Sequence, residues 1–322
     1  MSCQGGGWPT IERVFATLSG TYPADPALAI DEAVRSVIAV QRDVGLAPVS
    51  DGGLRWRDPF AVAATAEPGF AVSAWRATAA HADGSPVRQA LPGPYSLGRR
   101  SGERGGRARE RMTLTVAERL RDEIAALAGA GCPLVWIDEP DAIGVGEADA
   151  ERSLFREAQR RLLDGISGIH PTLAIGGGNA DTSGPETFFD SPYHSFFFDL
   201  IDGPDNWRLI ARLPGDRGVI CGALDARTVG PADRELLVWA AHYAASTGGR
   251  GGRGLARVGL APSGGLDHLA PAEARRKIEG LVRAAGLAVG SPEELTTTLD
   301  PRAVQGPSAR LARRGRTHRG PG

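Results

Sequence analysis

AGAGCPLVWIDEP, residues 128–140, decides the fold. Leu134 to Ile137 form a continuous apolar run, too short for a helix and suited to a strand buried on both faces. Gly129 and Gly131 close the element before it, and Asp138-Glu139-Pro140 end the strand with two carboxylates and a residue that cannot donate to a ladder. Upstream, Thr113 to Leu127 has helical spacing, with Leu120, Ile124 and Leu127 on one stripe.

Working outward, the same unit recurs. Helical patterns at Ala148 to Leu163, Asn206 to Arg212, Pro231 to Ala245 and Pro271 to Ala285 alternate with short apolar strands. Those strands are Thr172 to Ile175, Ser195 to Leu200, Val219 to Cys221 and Val258 to Ala261. Toward the N-terminus, Asp31 caps a helix with Val34, Val37, Ile38 and Val44 near one face, Gly45 ends it, and Leu46 to Val49 is a strand. One further strand lies at Phe70 to Trp75 or at Val87 to Tyr95. Alternating strands and helices with fully apolar strands predict an α/β fold, a (β/α)8 TIM barrel. Seven strands are accounted for; an eighth would fall in residues 1–8, a poor strand, so the first strand is expected to be truncated.

The chain of 322 residues suits one such barrel, read here as residues 1–300, followed by a basic, Gly/Pro-rich tail over 301–322 expected to be disordered. Gly98 to Arg111, with arginines 99, 100, 104, 107, 109 and 111, and the Gly/Arg-rich Thr247 to Gly254 also read as irregular. A net charge of −1 gives no global field for nucleic acid or anionic membranes, and the Gly/Arg stretches lack interleaved aromatics. Lys277 is the one lysine, in keeping with an Arg-biased composition. Cys3, Cys132 and Cys221 are too few and too scattered for a disulfide framework. With no apolar run of membrane length and no basic-then-apolar leader pattern, a cytoplasmic location is expected.

Barrel strands present functional groups at their C-terminal ends. That rule selects Asp138 and Glu139, and beside them Asp51-Gly52-Gly53, Gly93-Pro94-Tyr95, Gly176 to Asn179, Asp225 and Pro262 to Leu266. An acidic pair before a proline can also simply end a strand and cap a helix. Trp56 reads as packing, and Gly176-Gly177-Gly178 lacks the lysine of a phosphate loop.

These segments resemble, in collinear order, the catalytic C-terminal domain of cobalamin-independent methionine synthase and its short single-barrel relatives. The matching stretches are GGWPT (6–10), QRDVGLAPVSDGGLRWRD (41–58), LPGPYSL (91–97), AGAGCPLVWIDEP (128–140), ICGALDART (220–228) and LAPSGGL (260–266). The resemblance implies a methyltransferase that binds an amino-acid thiol and a methylated folate, with zinc holding the thiol as thiolate. It casts Asp138 as the amine-binding carboxylate, with Asp58 and Asn179 as polar wall residues; the strand-end rule adds Glu139 as a second catalytic candidate, and Trp8 and Asp225 are further substrate-binding candidates. Arginines 99–111 read as a solvated loop, or as a grip on a folate's polyanionic tail.

The family's zinc ligands fall on Ala174, Gly176, Phe198 or Asp199, and Gly264. Ala and Gly supply no side-chain donor, so no metal is expected at that site. The acid of the family's DGE is Gly53 and the Ser of its GS loop is Gly7. Cys221, His194 and His268 are the candidates for a rebuilt site; read otherwise, Cys221 is a buried hydrophobe, His194 and His268 lie in loops, and His170 ends one. The expectation is a divergent methyltransferase or other small-molecule enzyme without zinc, taking an amino acid and a folate. Two alternatives stand beside it: a non-catalytic small-molecule or partner-binding barrel, and a metal-free enzyme like uroporphyrinogen decarboxylase. The oligomeric state is left open.

Overall fold

The computed structural model describes residues 13–103, 106–291 and 293–295. Seven parallel strands form one curled sheet: β1 (Phe15–Ala16), β2 (Arg88–Pro92), β3 (Leu134–Asp138), β4 (His170–Ile175), β5 (Ser195–Asp199), β6 (Gly218–Leu224) and β7 (Val258–Pro262). Their order is β1-β7-β6-β5-β4-β3-β2. The segment 46–49 stands between the two edges: Ala47 N–H donates to the Ala16 carbonyl at 2.9 Å, and Val49 bridges Val87 in parallel. The ring is a TIM-barrel-like α/β fold, and its first strand is short, as expected. That strand lies at 15–16 and not in residues 1–8, which lie outside the described residues together with the tail.

Side-chain alternation along the strands divides the core. Trp136, Ala174, Phe197, Ile220 and Ala261 meet inside the barrel, with Phe15 and Ala90 against them. Their neighbours Val135, Ile137, Leu173, Ile175, Phe196, Phe198, Val219, Cys221 and Leu260 face outward into the larger core beneath the helices. Burial on both faces is why these strands read as unbroken apolar runs.

The helices are α1 (Ile30–Val44), α2 (Pro59–Thr65), α3 (Phe70–Ala79), α4 (Pro94–Arg100), α5 (Gly106–Gly129), α6 (Asp149–Leu162), α7 (Pro185–Phe189), α8 (Trp207–Arg212), α9 (Arg234–Ser246) and α10 (Pro271–Leu287). In α1, Ala33, Val34, Val37, Ile38 and Gln41 form the buried stripe. Gly45, left-handed at φ 89°, turns its N–H back to the Gln41 and Arg42 carbonyls and stops the helix. Asp31 sits in the first turn of α1 and makes no cap; its carboxylate pairs with Arg55 at 2.8 Å.

Three expectations change. Phe70 to Trp75 is helical, so the strand of that pair is the one at 88–92. Arginines 107, 109 and 111 lie in the first turns of α5, and Arg99 and Arg100 end α4, so most of the Arg-rich segment is helical. His170 opens β4 and ends no loop.

Candidate functional site

The C-terminal ends of β1, the 46–49 segment, β2 and β3 enclose a cavity of about 140 Å³ lined by Gly20, Thr21, Asp51, Trp56, Gln89, Trp136 and Asp138, among others. Asp138 and Trp136, two apart on β3, point the same way into the barrel. The Trp136 indole N–H donates to Asp138 Oδ1 at 2.7 Å. Beneath them Arg88 rises from β2, its guanidinium carbon 4.1 Å from the Trp136 ring centroid and its Nη2 donating to the Leu18 carbonyl at 2.8 Å. Burial pushes the Asp138 carboxyl up to about 6, against the lowering pull of Arg88 and of the indole bond. Burial likewise takes Arg88 down to about 10, still a cation at neutral pH.

Glu139 faces the other way. It is fully buried and its carboxylate accepts from the backbone N–H groups of Tyr95 (3.0 Å) and Ser96 (2.8 Å), and from Gln159 Nε2 (2.6 Å). It therefore caps the N-terminus of α4, where a carboxylate meets the positive end of the helix. Burial raises it to about 7 in spite of these donors. No bond of Glu139 turns toward the cavity.

The other expected residues are dispersed. Asp58 caps α2 through Phe60 N and Ala61 N, both at 3.0 Å, and lines an outer cleft against α4 and α5. Asn179 and Asp205 exchange two bonds of 3.0 and 2.8 Å, which tie the loop after β4 to the loop after β5. Asp225 holds its own turn through Arg227 N and Thr228 Oγ1, while its carbonyl takes Lys277 Nζ at 2.8 Å. Trp8 and Gly7 lie outside the described residues.

At the positions where zinc ligands would fall, Ala174 packs inside the barrel and Gly176 and Gly264 carry no side chain. Of the pair Phe198 or Asp199, Phe198 faces the helices, and Asp199 shares the inward side of Phe197. Asp199 Oδ2 accepts from Gly177 N (3.1 Å), and its Oδ1 accepts from Ile201 N (2.9 Å) and Asp202 N (3.0 Å). Those bonds bind it to its own loops, and burial raises it to about 6. The donor set does not fit a zinc ion. The three residues considered as replacements do not converge. Cys221 is buried against the α9 carbonyl of Ala240, His194 precedes β5 at the opposite end of the barrel, and His268 is exposed after β7. Among the described residues, no three His, Cys, Asp or Glu side chains group as a metal site.

Sequence reasoning missed the loop after β1. Gly20-Thr21-Tyr22-Pro23 places a hydroxyl residue after glycine where GGWPT (6–10) has Gly7, and Gly20 and Thr21 line the cavity. Gly20 has φ 65°, and a Cβ there would lie 2.7 Å from Gly265 N, so the two loops close only around glycine. Thr21 Oγ1 hydrogen-bonds Asp267, locking the loop after β1 to the loop after β7. The motif was legible; the strand before it, two residues long, was not. Three arginines of the Arg-rich segment are paired: Arg100 meets Asp141 at 2.6 Å, and Arg109 Nη1 meets Glu151 at 3.0 Å, with Arg99 at 3.9 Å.

Residues 29–162 match the family described as cobalamin-independent synthase, catalytic domain. Over that stretch the chain resembles the cobalamin-independent methionine synthase family. The matched stretch runs from α1 to the end of α6 and includes Asp138 and the 46–53 loop. A B12-independent methionine synthase from a Shewanella species, solved with selenomethionine, superposes with a TM-score of 0.70 at 16% identity, covering 89% of this chain and all (100%) of that one. A methyltransferase from Methanosarcina mazei gives a TM-score of 0.58 at 13% identity, covering 86% of this chain and 94% of that one. At these identities the likeness is one of fold. No curated protein sequence matches the chain. No described helix is long and apolar enough to cross a membrane.

Proposed function

We propose that this methionine-synthase-like barrel binds an amino acid through its ammonium group at Asp138 and acts on it as a divergent methyltransferase without a zinc-held thiolate. The observation that carries this reading is the Asp138 carboxylate, oriented by Trp136 at the C-terminal end of β3 and opening on the cavity. A carboxylate in such a low-dielectric site gains strongly from an incoming cation. The volume of about 140 Å³ suits an amino acid and falls below the range for larger ligands such as a folate. A methylated folate, as co-substrate, would approach from outside this cavity. The selenomethionine in the Shewanella protein's structure supports the ligand class.

In this reading Glu139 positions α4 and does not touch substrate. A free thiol with its pKa near 8.5 stays mostly protonated at neutral pH, so an acceptor less dependent on thiolate, or a slower reaction, follows from Ala174, Gly176 and Gly264. Those same positions favour the second reading, a barrel that binds the amino acid without turning it over.

Calorimetric titration with L-methionine and L-selenomethionine tests the site. Wild type should bind, and Asp138→Ala and Asp138→Asn should bind at least tenfold more weakly with an unchanged circular dichroism spectrum. Equal affinity in all three proteins rejects the assignment. Methyl transfer from a methylated folate, assayed after chelation, separates the enzyme from the binding module. Elemental analysis giving one tightly held zinc per chain would overturn the metal-free reading.

A further inference from the structure

A second cavity, of about 540 Å³, opens at the other mouth of the barrel, where β3, β4, β5, β6 and β7 begin. Its volume lies in the range of sites that enclose a small organic molecule. Inside it Thr172 Oγ1 and Ser195 Oγ stand 2.8 Å apart, both buried, and His170 Nε2 lies 2.9 Å from the same Ser195 oxygen. Burial, followed by the neighbouring His194, pushes His170 down to about 3, so the imidazole is a neutral hydrogen-bonding group and not a cation.

The charge at this mouth comes from arginines. Arg217 and Arg257 stand on the rim, with Asp216 as the acidic residue of the lining. Arg217 donates one Nη1 bond to the Tyr193 carbonyl and its Nε is 3.8 Å from Asp216, a loose pair, which leaves its other donors for a ligand, and Arg257 is exposed. At the floor lies Arg88, 4% exposed, which borders both cavities; its Nε and Nη1 have no hydrogen-bond partner in the protein. Buried guanidinium donors are costly to leave unmatched, and an oxyanion is the group that matches them. Trp136 closes the floor with an aromatic surface.

We infer that the N-terminal mouth of the barrel is a second ligand site, for a small aromatic molecule carrying an oxyanion, held by Arg217 and Arg257 at the rim and by the Ser195–Thr172 hydroxyls within. The site lies at the opposite end of the strands from Asp138 and does not depend on the amino-acid reading. The shared chemistry is a planar body with a carboxylate or a phosphate monoester.

Phenyl phosphate and benzoate, titrated into the full chain by ligand-observed NMR and calorimetry, test it. Saturable binding of one probe is expected, falling several-fold between low and high salt. The double variant Arg217→Ala/Arg257→Ala should weaken it at least tenfold, while Arg250→Ala, an exposed arginine outside the lining, leaves it within twofold. Stronger binding of phenyl phosphate assigns phosphate monoesters; stronger binding of benzoate assigns carboxylates. Absence of binding by both probes, or binding that survives the rim variant, overturns the inference. The rim arginines are chosen because circular dichroism should show them dispensable for folding, whereas Arg88 is part of the core.

Discussion

Trp136 and Asp138 form one unit: the indole nitrogen of the first donates to the carboxylate of the second at 2.7 Å, two residues along one strand. Alternation along β3 makes them neighbours on the inner face, and the Arg88 guanidinium lies over the indole whose N–H edge holds the carboxylate. The arrangement fixes the carboxylate rotamer before any ligand arrives.

Asp138 makes the fold pH-sensitive. Its carboxyl rises from 3.8 to about 6 on folding, chiefly through burial. A raised carboxyl binds more protons folded than unfolded, so its contribution is full below about pH 4 and is lost as pH rises through about 6. Two pH units correspond to about 3 kcal/mol. Asp138→Asn, which keeps an acceptor for the indole, should therefore raise the unfolding free energy at pH 7.5 by about 1–3 kcal/mol. The gain should vanish near pH 4. Thermal melts of both proteins at the two pH values check it, and an equal difference at each would contradict the burial argument.

Glu139 should matter for stability before it matters for anything else. Removing it strips acceptors from Tyr95 N, Ser96 N and Gln159 Nε2 in a site closed to water. Glu139→Ala is expected to cost about 3–5 kcal/mol, and Glu139→Gln less, since one oxygen remains. Urea unfolding measures both. A Glu139→Gln protein that retains full amino-acid affinity would agree with a positioning role.

Gly20→Ala addresses the loop that shapes the cavity. The left-handed backbone and the contact with Gly265 should together cost about 1–3 kcal/mol. Ligand affinity at Asp138 should fall as well, because Thr21 shifts with the loop. The same change at Gly84, also left-handed but with open space around its Cβ, should cost less and leave affinity alone.

Arg253 is the residue of the Gly/Arg-rich stretch that holds the fold. It is 3% exposed and donates to the carbonyls of Ala244 (3.0 Å), Arg217 (2.6 Å) and Leu213 (3.1 Å), and to Thr247 Oγ1 (3.2 Å). A planar fork reaches the ends of α8 and α9 at once; a lysine ammonium cannot. Arg253→Lys should lose about 3 kcal/mol, read as a lower urea midpoint, while Arg250→Lys in the same stretch should be neutral.

Much of this was legible. The β3 strand, the helices α1, α6, α9 and α10, and Asp138 at a barrel mouth all follow from apolar runs, helical stripes and glycine stops, which are local signals. The Arg-rich segment misled because the partners of its arginines are distant in sequence: Asp141 for Arg100 at the end of α4, 41 residues away, and Glu151 for Arg109 in α5, 42 residues away. Phe70 to Trp75 misled because a helix of ten residues with two buried positions, Ala71 and Thr78, has too weak a stripe to separate it from a strand.

The sequence alone determined that strands and helices alternate, that the strands are buried on both faces, and that Ala174, Gly176 and Gly264 carry no side-chain metal donor. These are properties of residue type and spacing along one stretch of chain. Which of two adjacent carboxylates faces the cavity was decided only by tertiary structure. Neighbouring residues on a strand face opposite ways, so Asp138 enters the cavity while Glu139 is consumed by the helix packed behind it. The second cavity belongs to the same category, because its residues come from the starts of strands all round the barrel and only closure of the barrel sets them around one space.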